Sequence, residues 1–389
     1  MKVILTRDFL ALILSVAVVG LGSGATLPLT ALALTQAGYG TDVVGLLTAA
    51  QAGGGLLVVP LAGRIAARFG GRQVITGAVL VVGIATALMQ LTSSLVVWGV
   101  LRVLCGAALM LLFTISEAWV NQLADDASRG RVVAIYATNF TLFQMAGPVL
   151  VSQIASFDAW RFLLCGAIFM LALPALAMIR STSPASGEAE AHGNWRHVLP
   201  QMPAIVVGTG FFALFDTIAL SLLPLFAMAH GISSGVAVLF ASALLLGDTT
   251  MQFPIGWLAD RLGRERVHIG SAVVVVLLLP LLPWAIVSPW LCWPLLYVLG
   301  AAAGSIYTLS LVACGERFRG VALVSASSLV GASWCAASFG GPLIAGALMK
   351  GVGNDAIIGV LLASALAFLA AVWWEKRRGS PCDLPSTSA

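Results

Sequence analysis

Residues 256–263 read GWLADRLG, and 193 positions earlier residues 63–70 read GRIAARFG. Each stretch closes a long apolar run and meets another arginine within two residues, Arg264 and Arg72. A second pair follows almost the same spacing: Gly147-Pro148 recurs as Gly341-Pro342, 194 positions on. Two separate matches at nearly one offset indicate a duplicated unit. A glycine at a helix end lets a neighbouring helix approach closely. A carboxylate and arginines in a tight turn can pair with each other and with helix ends across the seam between the two copies. Gly63, Arg64, Arg68 and Gly70, with Gly256, Asp260, Arg261, Gly263 and Arg264, are therefore candidates for a gate at that face, joined by Glu117 and Arg131.

Outward from these stretches the chain is a series of apolar runs near 9–34, 43–62, 75–91, 95–119, 133–155, 162–179, 203–228, 236–258, 267–287, 291–313, 321–348 and 356–374. They are continuous rather than alternating with period two, which favours helices over barrel strands. The composition agrees. Hydrophobic residues make up 60% of the 389 and charged residues 9%, with a mean hydropathy of +1.01. Soluble chains average about 45–50% apolar and about 25% charged, so this one cannot cover a soluble surface. Soluble enzymes, nucleic-acid binders and disordered proteins are excluded, and lipid is the expected solvent. The run 9–34 exceeds a signal-peptide core of about 7–15 residues and reads as an uncleaved first span.

Charge placement gives the orientation. With the amino terminus in the cytoplasm, 17 of the 20 Lys and Arg residues face inward, and Arg161 and Lys350 face outward; Arg102 falls within a span. That asymmetry, with basic residues at both ends, gives an even number of spans and cytoplasmic termini. Trp98, Trp160, Trp290 and Trp293 mark outer span ends, and Trp119, Trp257, Trp373 and Trp374 inner ones, as an interfacial belt requires. Trp334 lies inside the eleventh run, outside that belt. The polar stretch 180–202 reads as a cytoplasmic linker between an amino-terminal bundle, 1–179, and a carboxy-terminal bundle, 203–378. Residues 379–389 read as a disordered tail. The six cysteines stand singly, without metal-ligand spacing, and read as small buried hydrophobes.

Gly256-x-Leu258-Ala259-Asp260-Arg261-x-Gly263-Arg264 resembles the loop signature of the major facilitator superfamily. Arg102-x-x-Cys105-Gly106 resembles that family's second motif. The order Glu117-Ala118-Trp119, Ser128-Arg129-Gly130-Arg131, Gly147-Pro148 is similar to a small, poorly characterised bacterial branch. The resemblance spans the chain and implies an all-α integral membrane fold of twelve transmembrane helices in two pseudo-symmetric six-helix bundles. Two departures stand out. Ala67 and Gly71 replace the acidic and basic residues usual in the first loop, so Asp260 is left to act alone. The glycine series of many drug/proton antiporters is also incomplete, since 136–146 contains no glycine.

An ionised side chain at a helix centre costs about 2.5–3.5 kcal/mol even on the lenient insertion scale. Asp216 and Asp248 fall near the middle of runs seven and eight, Arg102 in the outer half of run four, and Glu117 near its inner end. Runs three, six, nine and twelve have no ionisable residue in their interiors, and the resemblance makes these the peripheral supports. Asp216 and Asp248 are candidate proton or substrate sites, against the alternative of fixed helix contacts. Arg102 is read as charge-coupling and Glu117 as a structural partner of Arg131. Gln144, Asn139 and Trp334 are further cavity candidates, with Gln51 and Tyr307 behind them. There is no GxxxxGK[ST] motif and no metal spacing, so neither cofactor nor metal is expected. The expected function is secondary active transport of a small organic solute by alternating access, with proton-coupled efflux preferred. Proton-coupled uptake is the alternative and a membrane-embedded enzyme a remote one. A monomer in the bacterial inner membrane, with protons, solute and lipid as its only partners, completes the expectation.

Overall fold

A computed structural model of the chain describes residues 6–123, 129–154, 159–179 and 198–378. Among these residues all regular structure is helical. Helix α1, Arg7–Gln36, starts at Thr6, whose hydroxyl accepts the Phe9 amide at 3.4 Å, with Asp8 in the first turn. Both features suit the unpaired amides and positive dipole end of a helix start. Helix α2, Thr41–Val58, passes through a short 3-10 turn at Pro60 into α3, Ala62–Phe69. Then follow α4 (Gly71–Leu88), α5 (Leu95–Leu123), α6 (Arg129–Ile154), α7 (Arg161–Met170) and α8 (Ala172–Ala177). Beyond residue 198 come α9 (Pro203–Ser221), α10 (Leu223–Ala229), α11 (Ser234–Leu262), α12 (Arg264–Leu278), α13 (Leu282–Ala285), α14 (Pro289–Arg317), α15 (Gly320–Gly351) and α16 (Ala356–Arg377).

The expected loops at 63–70 and 256–263 are mostly helix. Residues 62–69 and 256–262 are helical, and each turn is compressed into one residue, Gly70 at φ +80° and Gly263 at φ +91°. Only glycine adopts that backbone conformation cheaply, so the repeated glycine lets two long helices meet end to end without a loop. Among the described residues, ten helical rods are long and apolar enough to cross a membrane, and Arg161–Ala177 is apolar but shorter. The fifth run, expected near 133–155, falls in the helix Arg129–Ile154, which is diluted by Asn139, Gln144 and Gln153. Large side chains such as Leu57, Val96, Phe253 and Trp290 are exposed, as they are where the solvent is lipid. Linker residues 180–197 and tail residues 379–389 lie outside the described residues.

The packing repeats along the chain. Helix α1 lies on α6 as α9 lies on α15, and α2 on α5 as α11 on α14. Likewise α4 pairs with α5 and α7 as α12 pairs with α14 and α16. Contacts between residues 7–179 and 203–377 are reciprocal: α2 packs on α15, and α6 on α11. Glycines explain the closest pairings. A Cβ on Gly54 or Gly106 would strike the carbonyl of Val103 or Gln51, and one on Gly247 or Gly300 the carbonyl of Tyr297 or Leu244. These two glycine pairs stand 193 and 194 positions apart, the offset of the GRIAARFG/GWLADRLG match. Small residues at a helix crossing let backbones approach and gain dispersion contact where lipid offers no hydrophobic drive.

Candidate functional site

Helix α9 carries Phe212 and, one turn later, Asp216. Helix α14 carries Gly304 and, one turn later, Tyr307. Residues at these spacings share a helix face. Phe212 stacks on Tyr307 with ring centroids 5.1 Å apart, and Trp334 of α15 closes on both, at 5.9 Å from Phe212 and 5.3 Å from Tyr307. The tryptophan that does not fit the interfacial belt is thus the third wall of an aromatic corner. Tyr307 and Trp334 are half-buried, while Phe212 is buried. Such tilted and offset ring pairs contribute about 0.5–1.5 kcal/mol each beyond area burial.

Asp216 lies one turn beyond Phe212 on α9, and Asp248 reaches the site from α11. Asp248 of α11 is 6% exposed and accepts a hydrogen bond from Gln252 Nε2 at 3.4 Å. Its carboxylate rests against the bare α-carbon of Gly304, where a Cβ would collide with Oδ1 and Cγ. Asp216 is half-buried, hydrogen-bonds the Gln144 amide of α6 and lies within electrostatic range of Asp248. Tyr307 lies within electrostatic range of Asp216, Asp248 and Glu117 of α5. Tyr307 thus touches Trp334 and feels Asp216, Asp248 and Glu117 electrostatically, while Gln144 joins through Asp216, so five helices besides its own contribute. Phe212 and Gly304 complete the group without any mark in the sequence, as one of 17 phenylalanines and one of 41 glycines.

The role of Gly304 is open to direct test. In Gly304→Ala the added methyl occupies the Asp248 carboxylate position, so Asp248 must rotate away. Transport by this variant is expected to fall severalfold, and adding Asp248→Asn to it is expected to cause little further loss. Initial-rate flux in vesicles for the two single variants and the double variant measures that non-additivity; fully additive losses would separate Gly304 from Asp248.

Other candidates sit elsewhere. Asn139 donates to the Ile13 carbonyl at 2.9 Å, and its counterpart Ser333 donates to Val206 O at 2.6 Å, so both tie the first helix of a repeat to its fifth. Arg102 is 0% exposed and donates from Nε to Leu47 O at 3.5 Å and from Nη1 to Thr30 at 3.4 Å. Neither acceptor is a carboxylate, and Nη2 has no hydrogen-bond partner. Arg102 is thus held among α1, α2 and α5, away from the aromatic corner. Cys105, Cys165, Cys292, Cys314 and Cys335 are buried and form no disulfide.

The two ends of the molecule differ. At the end holding Thr41 and Gly351, α2 and α15 meet across the halves. Lys350 Nζ pairs with Asp42 at 2.8 Å, and Thr41 donates to Gly346 O at 3.0 Å. Gly45 faces the Pro342 carbonyl and Gly346 the Thr41 carbonyl without room for a Cβ. At the Gly70/Gly263 end, Asp260 pairs with Arg264 at 3.3 Å, and Arg264 also pairs with Glu316. Arg317 pairs with Glu375, and Lys376 with Glu265 at 2.6 Å. All of these lie within 203–377, so Asp260 and Arg264 fasten α11 to α12 and α14 rather than pairing across the seam as the sequence allows. They lie at the surface, where such pairs contribute about 0–1 kcal/mol. Arg261 stacks on Trp257 at 3.9 Å and Arg68 lies 5.5 Å from the Phe69 ring. Arg64 is exposed. The side chain of Arg131, the expected partner of Glu117, lies outside the described residues.

The family model described as Major Facilitator Superfamily matches residues 12–247 and 205–386. An uncharacterised MFS-type transporter of Bacillus subtilis, YfkF, is 24% identical over 98% of this chain and 99% of its own length. Among solved structures, a single-residue mutant of the nucleoside transporter NupG superposes with a TM-score of 0.74 at 14% identity, covering 96% of this chain and all of its own. A bacterial homolog of the human lysosomal transporter Spinster, in an inward-facing and unoccupied conformation, superposes with a TM-score of 0.70 at 15% identity, over 95% and 94% of the two chains. At these identities the two structures speak to the fold alone.

Proposed function

We propose that this chain, which belongs to the Major Facilitator Superfamily, is a secondary active transporter that exchanges a small organic solute for protons across the bacterial inner membrane. On this reading the repeated helices form twelve spans in two six-helix bundles, 1–179 and 203–378, with both termini in the cytoplasm. The reciprocal α2–α15 and α6–α11 contacts support it, because two related units joined by a pseudo-twofold seam can rock about it. The excess of Arg and Lys at the Gly70/Gly263 face supports the orientation.

One observation carries the chemistry: Asp216 and Asp248, costly at membrane depth, lie within electrostatic range of each other and of Tyr307, with Asp216 bonded to Gln144 across the seam, beyond a closed α2–α15 end. A carboxyl group there can hold a proton while facing one compartment and surrender it to a solute or to water when facing the other. Membrane transport follows from the family; direction and coupling are the proposal. Efflux fits the apolar and aromatic character of the corner, which offers few groups for polyhydroxylated solutes. The test uses purified protein in vesicles enclosing a pH dye. Compounds that raise its melting temperature are added from outside, and proton movement is recorded. Solute flux coupled to opposite proton movement is expected; solute flux with no proton movement would overturn the coupling, and proton movement in the same direction would reverse the exchange to symport.

A further inference from the structure

The two aspartates beside the aromatic corner have no cationic side chain among the described residues to balance them when they ionise. Asp216 and Asp248 are engaged by the amides of Gln144 and Gln252, neutral groups that neutralise nothing. Among the described residues no Lys or Arg forms a salt bridge to either aspartate. Arg102 is committed to Thr30 and Leu47, and His268 is turned toward Ile306 O and Ser310 with its ring on Phe368. A buried carboxylate without a cation is costly unless something else supplies the positive charge.

The rings supply a second, independent feature. Phe212, Tyr307 and Trp334 come from three different helices and lie 5.1–5.9 Å from one another. Phe212 sits one helical turn before Asp216 on α9, and Tyr307 one turn after Gly304 of α14, the glycine against which the Asp248 carboxylate of α11 rests. Aromatic faces attract cations, most strongly when the site is dry, and they also bury the apolar groups that such a cation carries. Rings alone would suit any flat hydrophobe, and carboxylates alone would suit a proton. Together, one turn apart on α9 and across the α11–α14 contact at Gly304, they match one ligand chemistry.

We infer that the transported solute is an organic ammonium cation, with its charged nitrogen against Asp216 and Asp248 and its apolar body in the Phe212–Tyr307–Trp334 corner. This rests on the transporter reading above and adds the substrate class. Charge balance follows: the entering cation displaces protons from the two carboxyl groups, and protons displace the cation on the return.

The probe is benzyltrimethylammonium, compared with phenylacetate as an anion and benzyl alcohol as a neutral analogue, in equilibrium dialysis against the purified full-length protein. Saturable binding is expected for the ammonium ion only. Asp216→Asn/Asp248→Asn is expected to weaken it about tenfold or more, and Trp334→Leu severalfold. Binding of phenylacetate or benzyl alcohol as tight as that of the ammonium ion overturns the proposal, as does the absence of ammonium binding. The wild-type comparison decides the matter even if the double variant fails to fold. Flux in the same protein separates the two readings. Proton-coupled movement of an anionic or neutral solute would sink the cation assignment and leave the transporter, whereas ammonium binding without flux would sink the transporter and leave the site.

Discussion

Asp216→Asn is expected to reduce proton-driven transport to the level of protein-free vesicles while solute exchange at equal pH persists. The carboxamide keeps the volume of the carboxyl group and can still hydrogen-bond Gln144 of α6, so the helix contact survives. A neutral-for-neutral hydrogen bond there is worth on the order of 1 kcal/mol, too little to unfold a bundle of this size. What is lost is the ability to bind and release a proton. Exchange needs only that loaded protein reorient in both directions, and Asp248 with the aromatic corner still holds the solute. The two assays therefore separate a proton site from a structural contact: gradient-driven uptake against a pH difference, and counterflow of labelled solute without one. Full gradient-driven flux in this variant would remove Asp216 from the coupling. Loss of both activities with an intact elution profile would make it a binding residue only.

Much of this architecture is written in residues whose constraint is backbone geometry. Gly70 and Gly263 announce themselves because the chain repeats them at a fixed spacing and no other residue reaches φ +80° and +91° cheaply. Asp216 and Asp248 stand out because ionisable groups in apolar runs are rare and expensive. The sequence could not show that the two aspartates come within electrostatic range of each other, since they lie on different helices and only packing sets their separation. Nor could it show that Asn139 ties α6 to α1 rather than lining a cavity: a polar side chain inside a span serves either purpose, and its rotational setting decides. Trp334 is anomalous in sequence for the same reason, and only the packing of Phe212 and Tyr307 beside it explains its place. Gly304 carries no sequence signal at all. Its role is the space it leaves for the Asp248 carboxylate, and space is visible only once both helices are placed.

Glycines at two kinds of crossing give the sharpest separation of folding from function. Gly106 of α5 faces the Gln51 carbonyl of α2, within residues 7–179, whereas Gly45 of α2 faces the Pro342 carbonyl of α15, across the seam. In both cases a side chain would meet backbone, which cannot rotate away. Gly106→Val forces apart two helices that must stay together in every conformation, and overpacking of this kind costs about 1–3 kcal/mol or more. The expected result is aggregated or degraded protein and no folded peak on size exclusion. Gly45→Val opposes only the state in which the α2–α15 end is shut, so the protein folds and the equilibrium shifts toward the state open at that end. An opposing term of about 1.4 kcal/mol already changes that population ratio tenfold. Spin labels at Ala37 and Val352, on the loops flanking the closed end, are expected to show a longer mean distance in Gly45→Val than in the parent protein, with transport strongly reduced. Removing the Asp42–Lys350 pair by Lys350→Ala is expected to move the same distance less, because that pair is exposed and screened. A folded Gly45→Val protein with the parental distance distribution would show that α2 and α15 do not part during transport, and the rocking of one half against the other would have to be abandoned.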